Sequence, residues 1–184
     1  MRKELENQRK VEASADDIWA VYSSPDLPKL IVKLLPSVFE SIDIVEGTGG
    51  SVGTVLHLVY PPGSIPHTYK EKFITIDHEK RLKEVRQIQG GYLDMGVTFY
   101  MDSFHILENG PNSCIIKSMT TYEVPNEEVG EKVSPFISID SLVGMAEAIS
   151  KYVLDKKKSS AKAHHLCHCG FSSCFSWCRR AATI

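Results

Sequence analysis

A carboxylate stands among aromatic residues in the stretch 69–74, which reads YKEKFI. If this stretch is a strand, alternation places Tyr69, Glu71 and Phe73 on one face of it. A glutamate that follows an aromatic face into an apolar cavity has its pKa raised by desolvation, which suits acid or base chemistry near neutral pH. The alternative is that Glu71 pairs with a neighbouring lysine on an exposed face.

Two further charged residues can share this interior. Lys83 has the strand parity of Val85, and Asp102 has the parity of Tyr100 and Phe104. Desolvation lowers the pKa of a lysine that points inward, and such a lysine can donate a proton to a carbonyl oxygen. Asp102 beside it would favour the charged ammonium form. Both residues can equally be solvated, because the strand that carries Lys83 has charges on both of its faces.

The elements that must position these residues are mostly strands. A first strand near the N-terminus is followed by six runs of apolar alternation bounded by turn residues, at 38–45, 53–60, 69–77, 82–88, 95–107 and 114–124. Their short connections favour an antiparallel sheet. Two short helices are predicted between the first two strands, one capped by Ser14 with Asp17 at its third position and one over 27–35.

Residues 126–158 change to helical spacing and end on a run of three lysines. We predict one long amphipathic helix, with a break near Pro135, that lies on the concave side of a curved seven-stranded antiparallel sheet. This is an α+β fold, and the space between sheet and helix is a natural internal ligand cavity.

Composition excludes several classes of protein. The chain has 184 residues, 42% of them hydrophobic, and a net charge of −2, which does not indicate binding to nucleic acid. We find no apolar run long enough for a membrane span and no secretory signal. Of the five cysteines, Cys114 alone lies in the first 160 residues, as is typical of a reduced, cytoplasmic protein.

Two stretches have a composition that is found in anion-binding or metal-binding sites. The glycine-rich residues 47–54 lack the lysine and the following helix of a phosphate loop, so we interpret them as a turn between strands. The tail, residues 159–184, contains the other four cysteines, whose spacing fits a zinc site poorly. We predict a disordered extension without a function there, one domain over residues 1–158, and no metal.

Three motifs make a family recognisable: PHTYKEKF at 66–73, RLKEV at 81–85 and GGYLDMGVTFYMD at 90–102. Residues 1–158 resemble the plant pathogenesis-related class-10 family, which has the fold of the major birch pollen allergen. Within it, the motifs resemble those of the norcoclaurine synthases. The four functional residues of that group fall on Tyr69, Glu71, Lys83 and Asp102, and all four identities are retained.

The resemblance implies an enzyme without a cofactor that condenses dopamine with 4-hydroxyphenylacetaldehyde to (S)-norcoclaurine in a Pictet–Spengler reaction. Lys83 would donate the proton with which water leaves, and Glu71 would accept the proton from the ring carbon. Tyr69 would orient the substrates, Asp102 would position the lysine or contact the amine, and Phe73 would complete the substrate site.

The same fold also permits a non-catalytic alternative, a defence-related carrier that binds alkaloids, flavonoids or hormones in its cavity. The joint presence of a proton donor and a proton acceptor favours the enzyme. We expect a monomer or a weak homodimer in the cytoplasm, with small molecules as its partners.

Overall fold

The computed structural model describes the backbone of residues 1–168 and the side chains of residues 1–161. Seven strands and four α-helices follow one another as β1 (Arg2–Val11), α1 (Ala15–Tyr22), α2 (Leu27–Leu34), β2 (Ser41–Glu46), β3 (Val55–Val59), β4 (Thr68–Asp77), β5 (Leu82–Gly90), β6 (Phe99–Glu108), β7 (Cys114–Glu123), α3 (Glu127–Val133) and α4 (Asp140–His168). The α+β class and the number of strands agree with the sequence-based prediction.

The strands form one antiparallel sheet in the order β1-β7-β6-β5-β4-β3-β2. Neighbours in the chain are therefore neighbours in the sheet, except that β1 pairs with β7. The register of β4 against β5 shifts at Lys70/Glu71 and again at Phe73/Thr75. Such bulges bend a strand, and both of them lie beside the residues that the sequence singled out.

Local hydrogen bonds explain two strand boundaries that the sequence misplaced. The amide groups of Val38 and Phe39 donate to the Leu35 carbonyl oxygen, so these residues close the turn after α2 and β2 begins only at Ser41. A one-turn 3₁₀ helix over Leu93–Met95, which closes on Gly96 at a φ of 99°, delays β6 to Phe99.

The two short helices form where predicted. Ser14 caps α1: its Oγ accepts a 3.2 Å hydrogen bond from the Asp17 amide and donates one of 2.6 Å to the Asp17 carboxylate. The glycine-rich stretch joins β2 to β3 as a turn, with Gly49 at a φ of 87° against the backbone of Pro25. The turn therefore lies close to the segment between the two helices, with no room for a side chain at position 49.

The C-terminal helical region is broken, as expected around Pro135. Helix α3 ends at Val133 and α4 begins at Asp140, whose backbone amide donates a hydrogen bond of 3.3 Å to Ser138 Oγ. Helix α4 contributes buried apolar residues to the main core, including Leu142, Met145 and Ile149.

Helix α4 also continues ten residues past the predicted end, since its backbone is helical through His168. No proline or glycine stands in residues 159–168 to stop it. The cysteine side chains of the tail, on which the question of a zinc site depends, lie outside the described residues. No helix among the described residues has the length and the apolar character needed to cross a membrane.

Candidate active site

A cavity lies between α4, α2 and the inner face of the sheet, with about 610 Å³ of space between atoms, part of it open to solvent. Most of its walls are apolar and include Leu27, Ile31, Leu58 and Met145. Four polar side chains that the sequence singled out also border it: Tyr69, Glu71, Lys83 and Asp102.

Strand β4 presents its alternate residues to this cavity as predicted. Tyr69 and Phe73 are buried, and Glu71 between them borders the cavity and is half-buried. Glu71 does not form the surface ion pair that was the alternative, because no basic group of the described residues lies within 4.0 Å of its carboxylate. Glu71 is therefore a carboxyl group facing an apolar interior.

Lys83 is almost completely buried, with 3% of its surface exposed. Its Nζ donates a hydrogen bond of 3.2 Å to the carbonyl oxygen of Tyr22, at the end of α1, and lies 4.0 Å from the centre of the Phe73 ring. Burial lowers the pKa of Lys83 to about 8, against an opposing effect of the Glu71 charge. The ammonium group can therefore lose its proton far more easily than a surface lysine.

Asp102 faces the cavity from β6, and its partner differs from the one that parity suggested. Oδ1 accepts a hydrogen bond of 2.6 Å from Thr120 Oγ1, across the β6–β7 pair where these two residues stand opposite each other. No ion pair between Lys83 and a carboxylate exists within 4.0 Å in the described chain. Burial raises the pKa of Asp102 to about 7, and the Thr120 hydrogen bond moderates the rise.

Glu71 lies in the electric field of both charged neighbours. Burial, together with the Asp102 carboxylate, raises the pKa of Glu71 to about 8, against an opposing effect of the Lys83 ammonium. A carboxyl and an ammonium group that both titrate near pH 8 can each give and take protons under physiological conditions. The cavity thus combines an acid and a base beside an apolar binding space.

Tyr69 has a partner that the sequence analysis missed. Its hydroxyl lies 2.9 Å from that of Tyr60, which follows β3 and also borders the cavity. Burial raises the pKa of Tyr69 well above its ordinary value, so the group stays a neutral phenol. The signal was available, because Leu56, Leu58 and Tyr60 alternate along the chain and all line the cavity.

A second space adjoins the first and shares Tyr60, Tyr69, Asp102 and Ser141 with it. Two more tyrosines line this second space, Tyr92 and Tyr100, whose rings stack at 4.8 Å. The sequence analysis did not assign Tyr92 or Tyr100 to the site, although both fall inside the motif at 90–102. The described residues contain no group of three His, Cys, Asp or Glu side chains that could hold a metal ion.

Known proteins resemble this chain in sequence and in fold. Residues 1–156 match the model of the pathogenesis-related protein Bet v 1 family. S-norcoclaurine synthase 2 from Papaver somniferum is 56% identical over 158 residues, which are 85% of this chain and 68% of that protein. S-norcoclaurine synthase from Thalictrum flavum subsp. glaucum is 52% identical over 158 residues, 86% of this chain and 74% of that protein.

A solved structure extends the comparison. Norcoclaurine synthase from Thalictrum flavum in complex with dopamine and hydroxybenzaldehyde superposes with a TM-score of 0.79 at 51% identity, covering 84% of this chain and 88% of that one. A relative with this fold therefore binds dopamine and hydroxybenzaldehyde together.

Proposed function

From the premise that the chain belongs to the pathogenesis-related protein Bet v 1 family, we propose that it is an enzyme that condenses dopamine with an arylacetaldehyde by a Pictet–Spengler reaction, as an S-norcoclaurine synthase. The aldehyde that we propose is 4-hydroxyphenylacetaldehyde, and the product is then (S)-norcoclaurine. One observation carries this proposal most directly: Lys83 and Glu71, which both titrate near pH 8, border the same apolar cavity.

The first part of the reaction needs a proton donor. The dopamine amine adds to the aldehyde carbon to form a carbinolamine, and Lys83 gives a proton to the carbinolamine oxygen. The C–O bond then breaks, water leaves and an iminium ion forms. The lowered pKa of Lys83 supports this role, because a buried ammonium with a pKa of about 8 gives up its proton readily.

The second part needs a proton acceptor. The catechol ring attacks the iminium carbon and forms the new carbon–carbon bond, and Glu71 then removes the proton from the attacked ring carbon, which restores aromaticity. A carboxylate surrounded by apolar walls is a stronger base than one in water, which is the effect of its pKa of about 8. Glu71 and Lys83 together return to their starting protonation states once a proton passes between them or to solvent.

The remaining residues orient the reactants. Tyr69 offers a neutral phenol as a hydrogen-bond donor, and Asp102 offers a carboxylate for the amine. Phe73 forms the cavity floor beneath the Lys83 ammonium. Holding two reactants in contact inside one cavity can accelerate their reaction by several orders of magnitude, and the iminium face left open to the ring decides the configuration of the product.

We further propose that residues 1–158 form the catalytic unit and that residues 159–184 take no part in the reaction. The free, buried thiol of Cys114 fits a reducing compartment such as the cytoplasm. We also propose that the protein is a monomer or a weak homodimer. Analytical ultracentrifugation of the purified protein tests the oligomeric state.

Chiral chromatography of the product tests the proposed activity. Dopamine and 4-hydroxyphenylacetaldehyde are incubated with and without the purified protein, and the enantiomers are separated. The uncatalysed reaction gives a racemate, so an excess of the S enantiomer that grows with protein concentration supports the enzyme. A racemate at the protein-free rate contradicts it and favours the carrier, which a ligand-binding titration would then characterise.

A further inference from the structure

Tyr60 is held rigidly at the rim of the sheet. Its backbone amide donates a hydrogen bond of 2.8 Å to the His67 carbonyl oxygen, which closes the loop between β3 and β4. Its ring packs against that of Phe39, with 5.2 Å between ring centres. Both contacts leave the hydroxyl of Tyr60 with little freedom to move away from its position.

That hydroxyl lies 2.9 Å from the hydroxyl of Tyr69, and the two rings are 5.8 Å apart. Among residues 1–161, neither hydroxyl has another hydrogen-bond partner. The pair lies where the main cavity meets the adjoining space, and Asp102 borders the same junction. Two hydroxyls that share one hydrogen bond leave one O–H hydrogen free for a third group.

We propose that Tyr60 is a positioning residue that acts through Tyr69, an inference that rests on the proposed function. The O–H bond of a phenol prefers the plane of its ring and so has two favourable directions. In the proposed pairing, the Tyr60 hydroxyl takes one of these two directions. When Tyr60 donates to Tyr69, the Tyr69 hydrogen must take the other direction, toward the cavity and a substrate oxygen.

The pairing also strengthens the Tyr69 donor. A hydroxyl that accepts a hydrogen bond is polarised and becomes a better donor, especially where little water is present. A phenylalanine at position 60 would keep the ring contacts with Phe39 and Tyr69 but would leave the Tyr69 hydroxyl free to rotate. The hydroxyl of Tyr60 therefore affects the reaction without touching the substrate.

A double-mutant cycle tests this inference. The variants Tyr60→Phe, Tyr69→Phe and the double variant are compared with the unaltered protein for kcat, KM for dopamine and enantiomeric excess. Tyr152→Phe is the matched control, since it removes a hydroxyl from the half-buried Tyr152 on α4, outside the cavity lining. Melting temperatures of all variants report any loss of folding.

We expect Tyr60→Phe to lower kcat about three- to tenfold with little change in KM, which is the effect of losing one neutral hydrogen bond. The double variant should be no slower than Tyr69→Phe alone, because Tyr60 acts only through Tyr69. An unchanged kcat in Tyr60→Phe, or a double variant whose loss is the product of the single losses, overturns the inference. A racemate from the unaltered protein instead refutes the proposed function, and the inference with it.

Discussion

The ammonium nitrogen of Lys83 lies 4.0 Å from the centre of the Phe73 ring, inside a cavity that also contains Glu71. The negative face of an aromatic ring attracts a cation, whereas burial disfavours it. Burial has the larger effect here, since the pKa of Lys83 falls to about 8. The charge of the Glu71 carboxylate opposes this fall.

Activity should depend on pH as a narrow bell. Glu71 acts as a base only when deprotonated, so kcat/KM rises as the pH approaches its pKa of about 8. Lys83 acts as an acid only when protonated, so kcat/KM falls above its pKa of about 8. Because these two groups interact, the apparent pKa values read from the two limbs describe the pair and not either residue alone. Initial rates of chiral product over the pH range, corrected for the protein-free reaction, measure both limbs; a flat profile would contradict the paired roles.

Phe73→Leu should move the alkaline limb to lower pH. Without the ring, the Lys83 ammonium loses its cation–π contact, and we expect a shift of about 0.5 to 1 pH unit. Phe99→Leu is the matched control, since Phe99 contacts Arg86 with 4.9 Å from the guanidinium carbon to the ring centre, away from the cavity lining. The pH profiles of kcat/KM for both variants test this prediction. Equal alkaline limbs in Phe73→Leu and Phe99→Leu would show that the ring does not stabilise the ammonium.

Asp102→Asn should stabilise the fold above neutral pH while it slows the reaction. The pKa of Asp102 is about 7 in the folded protein and ordinarily 3.8, so the folded state keeps a proton that the unfolded state has released. Stability therefore falls as the pH rises between these two values. An asparagine does not titrate and can still accept from Thr120, so at about pH 8 we expect a gain of about 1–3 kcal/mol in the free energy of unfolding.

Urea denaturation at several pH values measures this gain. Asp43→Asn, at an exposed position on β2, is the control and should leave the pH dependence of unfolding unchanged. The gain in Asp102→Asn should disappear at low pH, where the aspartate is already neutral. A variant that is less stable than the unaltered protein at every pH would show that the Asp102 charge is not costly.

Gly49→Ala should destabilise the protein more than Gly53→Ala. Both glycines have a positive φ, 87° and 90°, so an alanine at either position is strained by about 1 kcal/mol. At Gly49, an added Cβ would also lie 2.9 Å from the Pro25 carbonyl oxygen and 2.7 Å from Ile44 Cδ1, whereas at Gly53 it meets nothing within 4 Å. We expect a loss of about 2–4 kcal/mol for Gly49→Ala. Equal melting temperatures in the two variants would refute the close approach.

The sequence predicts a large part of this site. Period-two alternation placed Glu71 on the same face as Tyr69 and Phe73, and parity allowed Lys83 and Asp102 to point inward as well. The alternation left a solvated position open for these charged residues, and the resemblance to the norcoclaurine synthases favoured the inward one. These inferences succeed because a strand has only two faces, and one face of this sheet is covered by α4.

The sequence did not predict the hydrogen-bond partners that distant segments supply to the site residues. The Tyr22 carbonyl oxygen that accepts from Lys83 depends on where α1 ends against the sheet, and the Thr120 hydroxyl depends on the β6–β7 register. Strand parity cannot show which of two inward charges meets which neighbour, so the expected Lys83–Asp102 pair was replaced by Asp102–Thr120. The observed helix and strand ends differ from the predicted ones for a similar reason, because caps and turns depend on single hydrogen bonds.

The central claim is that Lys83 and Glu71 carry the proton chemistry, and the S-enriched product formed by two variants tests it most directly. Lys83→Met and Glu71→Gln are assayed by chiral chromatography beside Lys72→Met, at an exposed position on β4 next to Glu71. We expect each site variant to lose about a hundredfold or more in kcat/KM, and Lys72→Met to match the unaltered protein. Folded site variants that still form the S enantiomer at the unaltered rate would contradict the claim.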